Sequence, residues 1–371
     1  MAIETLKNKF FFGGLAIWSI TPNGKILGQK IQKSVQGSTL FVSASIVQDS
    51  DNEKNTIVFK KLSKEIHLQF SAFGGHIFIF STGIAVRMIA PLLKSKMIDP
   101  AVVVVDDNAN YAISLVSGHM GGANHLAKQI ADIINAIPVI TTATDTNRLP
   151  SIDMIAKEQG LYIETPQNIK HVNMAFLKGA KVRLYDPFGC VKNNLPESFR
   201  IDAVNWNKKI DDQAIDDIGN VSEGESGTVF CSYETKDVSC ETLVLRPRVL
   251  TVGIGCNRGT CCEDIKAFLI SVLKQQGLSV NSIFRFATSD IKKDEIGLLA
   301  LSQEMKIQID FYDKNKLNSV KTIQTPSKMV EKHLGVKSVC EAAAILSAGN
   351  GQLIVPKKKN KDVTIAVAIK Q

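Results

Sequence analysis

The sequence predicts a multidomain α/β fold, with amino-terminal and carboxy-terminal three-layer α/β domains joined by a small central α/β region. Three observations lead there. Apolar runs of strand length alternate with helix-periodic stretches in residues 1–145 and again in 248–371. One run, Ala101–Val105, is apolar throughout, as a strand covered on both faces requires. Residues 146–247 are weakly periodic, and 211–228 combines two Asp-Asp pairs with Gly219, Gly224 and Gly227, the composition of an exposed connection.

Each element follows in order. Leu15–Thr21 reads as a strand and Pro22-Asn23-Gly24 as a turn. Thr39–Ser43 is a second strand and Lys61–Phe70 a helix. His76–Phe80 leads through Ser81-Thr82-Gly83 into a helix from Ile84 to about Lys96. Tyr111–Val116 follows Ala101–Val105. Next comes a glycine-rich loop and a helix whose apolar stripe is Ala123, Leu126, Ala127, Ile130, Ile133 and Ile134, with Lys128 and Asp132 on the other face. Pro138–Ile140 and the segment Thr141–Asp145 complete this domain. In the carboxy-terminal domain Val249–Ile254, Ile283–Ala287, Ile307–Phe311, Leu353–Val355 and Thr364–Ile369 read as strands. Cys261–Gln276, Ile296–Met305, Ser327–His333 and Ser338–Ala348 read as helices. The lysines between 357 and 361 read as a solvated hairpin turn.

Composition narrows the function. A net charge of +8 favours an anionic partner. Nucleic acid is the weaker choice and no nucleic-acid partner is expected, because the basic residues are scattered, aromatics are only 6% and no nucleic-acid motif is present. No stretch approaches the ~18 apolar residues of a membrane span, and Phe10–Ile20 reads as a first strand with its lead-in, not a signal peptide. The seven cysteines match no zinc spacing and read as reduced thiols of a cytosolic protein. GIGCNRGT, Gly253–Thr260, has only the first two spaced glycines of a dinucleotide fingerprint, and no P-loop is present.

The segment SGHMGGANHLA, Ser117–Ala127, is the most informative. A glycine-rich helix start offers amides to an anion, and His119 beside them carries an imidazole, a side chain that can move protons. Together they point to a small anionic ligand with proton-transfer chemistry at hand.

With GIAVRMIAPLLKSKMIDPAVVVVD (Gly83–Asp106), SLVSGHMGGANHLA (Ser114–Ala127), PVITTATD (Pro138–Asp145), GIGCNRGT, KKDE (Lys292–Glu295), SVCEAAAI (Ser338–Ile345) and TIAVAI (Thr364–Ile369) in this order, the chain resembles the CbiG family of cobalamin-biosynthesis proteins, the cobalt-precorrin-5A hydrolases. The resemblance covers both end domains well and the middle by position. It implies opening of the δ-lactone of a cobalt-bearing tetrapyrrole by water, with release of acetaldehyde, in anaerobic cobalamin synthesis. The cobalt would belong to the substrate, so no cofactor or protein-bound metal is implied. Other enzymes of the corrin pathway are candidate partners.

That chemistry assigns roles to residues. His119 is the leading acid or base, and Asp145 would orient it or activate water. Ser117, the amides of Gly121 and Gly122, Asn124, Thr141, Thr142 and Thr144 are candidate donors to the oxyanion or to carboxylates. Thr82 and Gly83 at a helix start, with Arg87 and Arg258, would hold substrate carboxylates. Glu295 with Lys292 and Lys293, and Glu341, read as solvated helix-start charges. Parallel strands throughout would gather loops 81–83, 117–122 and 141–145 on one sheet edge. A hairpin at Asp106–Asn110 would instead send loop 117–122 to the opposite edge. The rival functions are a non-catalytic tetrapyrrole carrier or scaffold and a sensor of organic anions.

Overall fold

The computed structural model describes residues 14–47, 55–95, 98–119, 121–142, 149–196, 201–203, 227–326, 336 and 338–370. The chain divides into two compact units, Met1–Met154 and Ile155–Gln371.

The first unit is built on strands β1 (Leu15–Ser19), β2 (Thr39–Ser43), β3 (Thr56–Phe59), β4 (Gly75–Ile79), β5 (Ala101–Val105), β6 (Tyr111–Val116) and β7 (Ile137–Val139). Their order is β3-β2-β1-β4-β5-β6-β7. The first five run parallel. β6 reverses against β5, and β7 follows the direction of β6. Alternation along each strand supplies two cores. Leu15, Ile17, Leu40, Val42, Ile77 and Ile79 meet helices α1 (Pro22–Ser34) and α4 (Ala123–Ile134). Ala16, Trp18, Phe41 and Phe78 meet α2 (Leu62–Gln69) and α3 (Thr82–Ile89) on the other face.

Two local readings change. Pro22-Asn23-Gly24 is the first turn of α1, not a free turn. Proline fits the first helical position, and the Thr21 hydroxyl caps the helix by accepting the Gly24 amide at 3.0 Å. The helix expected to run to Lys96 is regular only to Ile89 and passes into a single 3₁₀ turn, Ala90–Leu92, where Pro91 has no amide to continue the ladder.

The second unit carries two sheets. The central one comprises β8 (Tyr162–Ile163), β9 (Val182–Tyr185), β10 (Ile201–Ala203), β11 (Gly227–Cys231) and β12 (Leu243–Arg246), in the order β10-β9-β11-β12-β8. It is parallel except at β8. Helix α5 (Ile152–Glu158) carries the division between the units, and α6 (Ile169–Leu177) packs on the start of β11, where a Cβ on Gly227 would lie 3.1 Å from Val172 Cα. The carboxy-terminal sheet is β15-β14-β13-β17-β16, from β13 (Leu250–Cys256), β14 (Ile283–Ser289), β15 (Ile309–Tyr312), β16 (Gln352–Lys359) and β17 (Val363–Ile369). Helices α7 (Cys262–Gln275) and α8 (Ile296–Met305) cover one face, α9 (Lys314–Ser319) and α10 (Val339–Ser347) the other. The lysines expected at a hairpin turn lie mostly on the strand: Lys357, Lys358 and Lys359 end β16, and Lys361 lies in the turn of the antiparallel β16–β17 hairpin. The helix expected at Ser327–His333 lies outside the described residues. Among the described residues no helix is long and apolar enough to cross a membrane.

One histidine is part of the first core. His76 is fully buried on β4, accepts from Trp18 Nε1 at 3.1 Å and donates through Nε2 to the Phe70 carbonyl at 3.0 Å. Burial lowers its pKa from 6.5 to about 4, against the smaller opposing effect of the Phe70 carbonyl. The imidazole is therefore neutral at physiological pH and unsuited to acid–base work. Its folded pKa lies below the unfolded value, so its contribution to stability is complete above pH ~6.5 and is lost as pH falls towards ~4. The expected loss at pH ~5 is about 2 kcal/mol. Urea melts of the wild type and His76→Gln between pH ~7 and ~5 check it: the acid-side decline should be shallower by that amount in the variant, and equal slopes contradict the assignment.

Candidate functional site

The loop between β6 and α4 is folded onto itself. Ser117 leaves β6 in the left-handed region at φ 58°, and Gly122 caps α4 at φ 89°. The carbonyls of Ser117, Gly118 and His119 accept from the amides of Ala123 (3.1 Å), Asn124 (3.0 Å) and Gly122 (3.0 Å). These three amides are thus spent within the protein, and the expectation that the helix start offers them all to a ligand is corrected, because the loop carbonyls reach them first. Gly121 permits the fold: a Cβ there would lie 2.3 Å from Ser117 Cβ, closer than any real contact. A Cβ on Gly118 would lie 2.7 Å from Asn124 Oδ1.

Asn124 ties the region together. It is buried, its Oδ1 accepts from Ser114 Oγ at 2.6 Å, and its Nδ2 donates to Thr142 Oγ1 at 2.8 Å. Its side chain bridges strand β6 and the segment after β7 and so braces the loop between them. Thr142 accepts here and keeps its own hydroxyl proton to donate. The Ser117 hydroxyl is buried without a hydrogen-bond partner. His119 is half-buried on the loop, and Thr141 is exposed. Thr144 and Asp145 lie outside the described residues.

Asp106 decides which edge carries this loop. Its carboxylate accepts the Tyr111 amide (2.6 Å), Asn110 Nδ2 (2.9 Å) and the Asn108 amide (3.2 Å), closing a β5–β6 hairpin. Burial pushes this carboxyl up, but those donors together hold it below its usual range. Because β6 is reversed and β7 parallels it, Ser117, His119, Gly121, Gly122, Asn124, Thr141 and Thr142 share one edge. Thr82, Gly83 and Arg87 follow β4 and stand at the opposite edge. A single site built from all of them is therefore excluded by strand direction. At that second edge Arg87 is exposed, and the first amide bonds of α3, from Ile84 and Ala85, go to the Ser81 carbonyl at 3.1 and 3.2 Å. The opposing loop there is Thr21, which caps α1 and hydrogen-bonds Asp107. Sequence reading missed this pairing of α1 and α3 starts at the strand-order reversal, because α1 was hidden behind a turn signal.

In the carboxy-terminal domain the GIGCNRGT loop meets a buried charge. Glu295 is 4% exposed and accepts from the Gly259 amide at 2.8 Å and Lys292 Nζ at 3.0 Å, with Arg258 at 3.6 Å. Burial pushes its carboxyl up, and these donors more than offset it, holding the group below the usual range. The reading of Glu295 as a solvated charge is thus overturned by its burial. Arg258 is already engaged by Asp294 (2.7 Å) and the Ile291 carbonyl (2.9 Å). Glu341 is fully buried too, and gathers the amides of Gln324 (2.9 Å), Thr325 (3.1 Å) and Lys357 (2.9 Å) and the Thr325 hydroxyl (2.5 Å). The two spaced glycines serve packing: a Cβ on Gly253 would lie 1.8 Å from the Cys340 carbonyl and one on Gly255 2.5 Å from Thr364 Oγ1.

These contacts fix two expected losses. Asn124→Ala strands the Ser114 and Thr142 hydroxyls and should cost about 2 kcal/mol. Gly121→Ala forces the loop away from Ser117 and should cost roughly 1–3 kcal/mol. Urea denaturation measures both, and a change under about 0.5 kcal/mol, the range of ordinary surface substitutions, contradicts the packing account.

Comparison with known proteins matches three family models along the chain. They are Cobalamin synthesis G N-terminal over residues 65–145, Cobalamin biosynthesis central region over 150–247 and Cobalamin synthesis G C-terminus over 250–368. A cobalt-precorrin-5A hydrolase from Priestia megaterium is 32% identical over 369 residues, covering 96% of this chain and 95% of that one. The enzyme of the same name from Salmonella typhimurium is 27% identical, covering 96% and 97%. Protein CobE from Sinorhizobium sp is 31% identical over 121 residues, 32% of this chain and 79% of its own. With three matching models in order and an identity of 32% along nearly the whole length of both chains, the protein belongs to the CbiG family of cobalamin-synthesis proteins.

Proposed function

We propose that the chain is a cobalt-precorrin-5A hydrolase, opening the δ-lactone of its cobalt-corrinoid substrate with water and releasing acetaldehyde to give cobalt-precorrin-5B, in the cytoplasm. The observation that carries this is the full-length similarity to the Priestia megaterium hydrolase. Lactone hydrolysis and aldehyde release are redox-neutral overall, so the reaction itself calls for no redox cofactor, and the cobalt travels with the substrate.

The edge formed by loop 117–122 and Thr141–Thr142 is the favoured place for this chemistry. His119 stands half-buried on a loop braced by Asn124 and Gly121. It would take a proton from the attacking water and return one as the ring oxygen leaves. Hydrolysis leaves a carboxylate and a hydroxyl on the two-carbon unit. Removal of that hydroxyl proton lets the unit depart as acetaldehyde while the ring carbon it leaves takes up a proton. The Thr142 hydroxyl is the best-placed donor to the oxyanion, since Asn124 already supplies its incoming bond. Asp145 would orient the imidazole.

Anaerobic incubation with the cobalt lactone intermediate, assayed for acetaldehyde, tests the reading. The wild type should release one acetaldehyde per substrate. His119→Ala should lower kcat by about 10²–10⁴ with substrate binding retained. Binding without any acetaldehyde from the wild type would establish the carrier function instead.

A further inference from the structure

We propose that the central domain holds a divalent metal site of the Zn²⁺ type, formed by Cys190, Cys231 and Asp186, with one coordination position open to an adjoining cavity. Sequence spacing does not announce it, because Cys190 and Cys231 are far apart along the chain and the third donor is a carboxylate. The sheet brings them together. β9 and β11 are neighbouring parallel strands in the register Tyr185↔Phe230, so Asp186 and Cys231 stand next in line at the same end of the sheet. The turn after β9 returns Cys190 to that point. Asp186 holds it there, accepting the Cys190 amide at 3.0 Å through Oδ1 and the Val191 and Lys192 amides at 2.7 and 2.9 Å through Oδ2.

The two sulfur atoms and the carboxylate oxygen all lie within 4.8 Å of one another. Tetrahedral zinc, with Zn–S about 2.3 Å and Zn–O about 2.0–2.2 Å, needs donor separations near 3.5–3.8 Å, so closure requires each pair to move by no more than about 1.3 Å. Oδ1 carries a single amide bond and keeps a lone pair for a cation. Two soft donors and one hard donor suit Zn²⁺ and not Mg²⁺ or Ca²⁺. Cys231 is buried, while Cys190 and Asp186 are half-buried and give entry from solvent. A cavity of about 320 Å³ adjoins Asp186, lined also by Tyr185, Pro187, Lys192 and Ile201. Three protein donors leave the fourth position for water or a ligand from that cavity.

The test uses the full-length reduced protein, stripped with a chelator and titrated anaerobically with Co²⁺ as a spectroscopic stand-in, followed by Zn²⁺. One equivalent of Co²⁺ should give sulfur-to-cobalt charge-transfer absorption and intense tetrahedral bands, and Zn²⁺ should abolish both. Cys190→Ala and Cys231→Ala should each weaken binding at least 100-fold. Cys190→Ala, at a half-exposed position, keeps the test valid if the buried variant fails to fold. A Cys261→Ser/Cys262→Ser variant should bind as the wild type does. Absence of the charge-transfer band, its survival in Cys190→Ala, its loss in the Cys261/Cys262 variant, or a Cys190–Cys231 disulfide in place of metal would each overturn the site.

Discussion

The reversal of the chain at Asp106 is the constraint on which the reading of the first unit depends. One carboxylate gathers two amides and a side-chain NH₂ and so turns β6 against five parallel strands. Everything downstream inherits that direction. The glycine loop leaves β6 at the edge where the parallel strands begin, and β7 delivers its threonines to the same edge. Had the connection been a crossover helix, the same residues would have emerged beside the start of α3. A short turn rich in Asp and Asn thus decides which side chains can act on one molecule.

Rigidity around the loop comes from close approach more than from charge. Ser117 is held at φ 58°, a conformation that non-glycine residues adopt at a cost of order 1–3 kcal/mol. It is held there because Gly121 lies against it and because its carbonyl accepts the Ala123 amide. Asn124 then joins strand, loop and the segment after β7 through one buried amide. The carboxy-terminal loop is organised differently, around Glu295 and three nitrogen donors. A buried carboxylate with that many donors is stable as an anion and makes a poor proton acceptor, so it shapes its loop.

Much of this architecture was legible in the sequence. Strand-length apolar runs marked β1, β2, β4, β5, β6 and β13, and helical periodicity marked α4, α7 and α10, because burial on known faces leaves those patterns directly. The glycine loop was legible as a special place, but not for the reason its composition suggests. Gly121 and Gly118 are there to let side chains close in, and no local pattern distinguishes that from an anion cradle. α1 was obscured because Pro-Asn-Gly serves equally as a turn and as a helix's first turn, and the deciding contact, Thr21 capping Gly24, is a side-chain geometry. The burial of Glu295 and Glu341 was illegible because their donors come from segments distant in the chain. His76 looked like any strand residue until its neighbours proved to be Trp18, Phe70 and Phe78.

Glu341 has a consequence for how the carboxy-terminal domain comes apart. Its two oxygens clamp Gln324 and Thr325 on one side and Lys357, on the outer strand of the hairpin, on the other. Loss of 324–325 strips Oε2 of both its donors, and loss of the outer strand takes the Lys357 amide from Oε1, so either departure costs a buried anion hydrogen bonds that an ordinary edge strand does not supply. The outermost β-strand and the stretch at 324–325 therefore behave as one latch: solvent reaches their amides together, in a single concerted opening, or not at all.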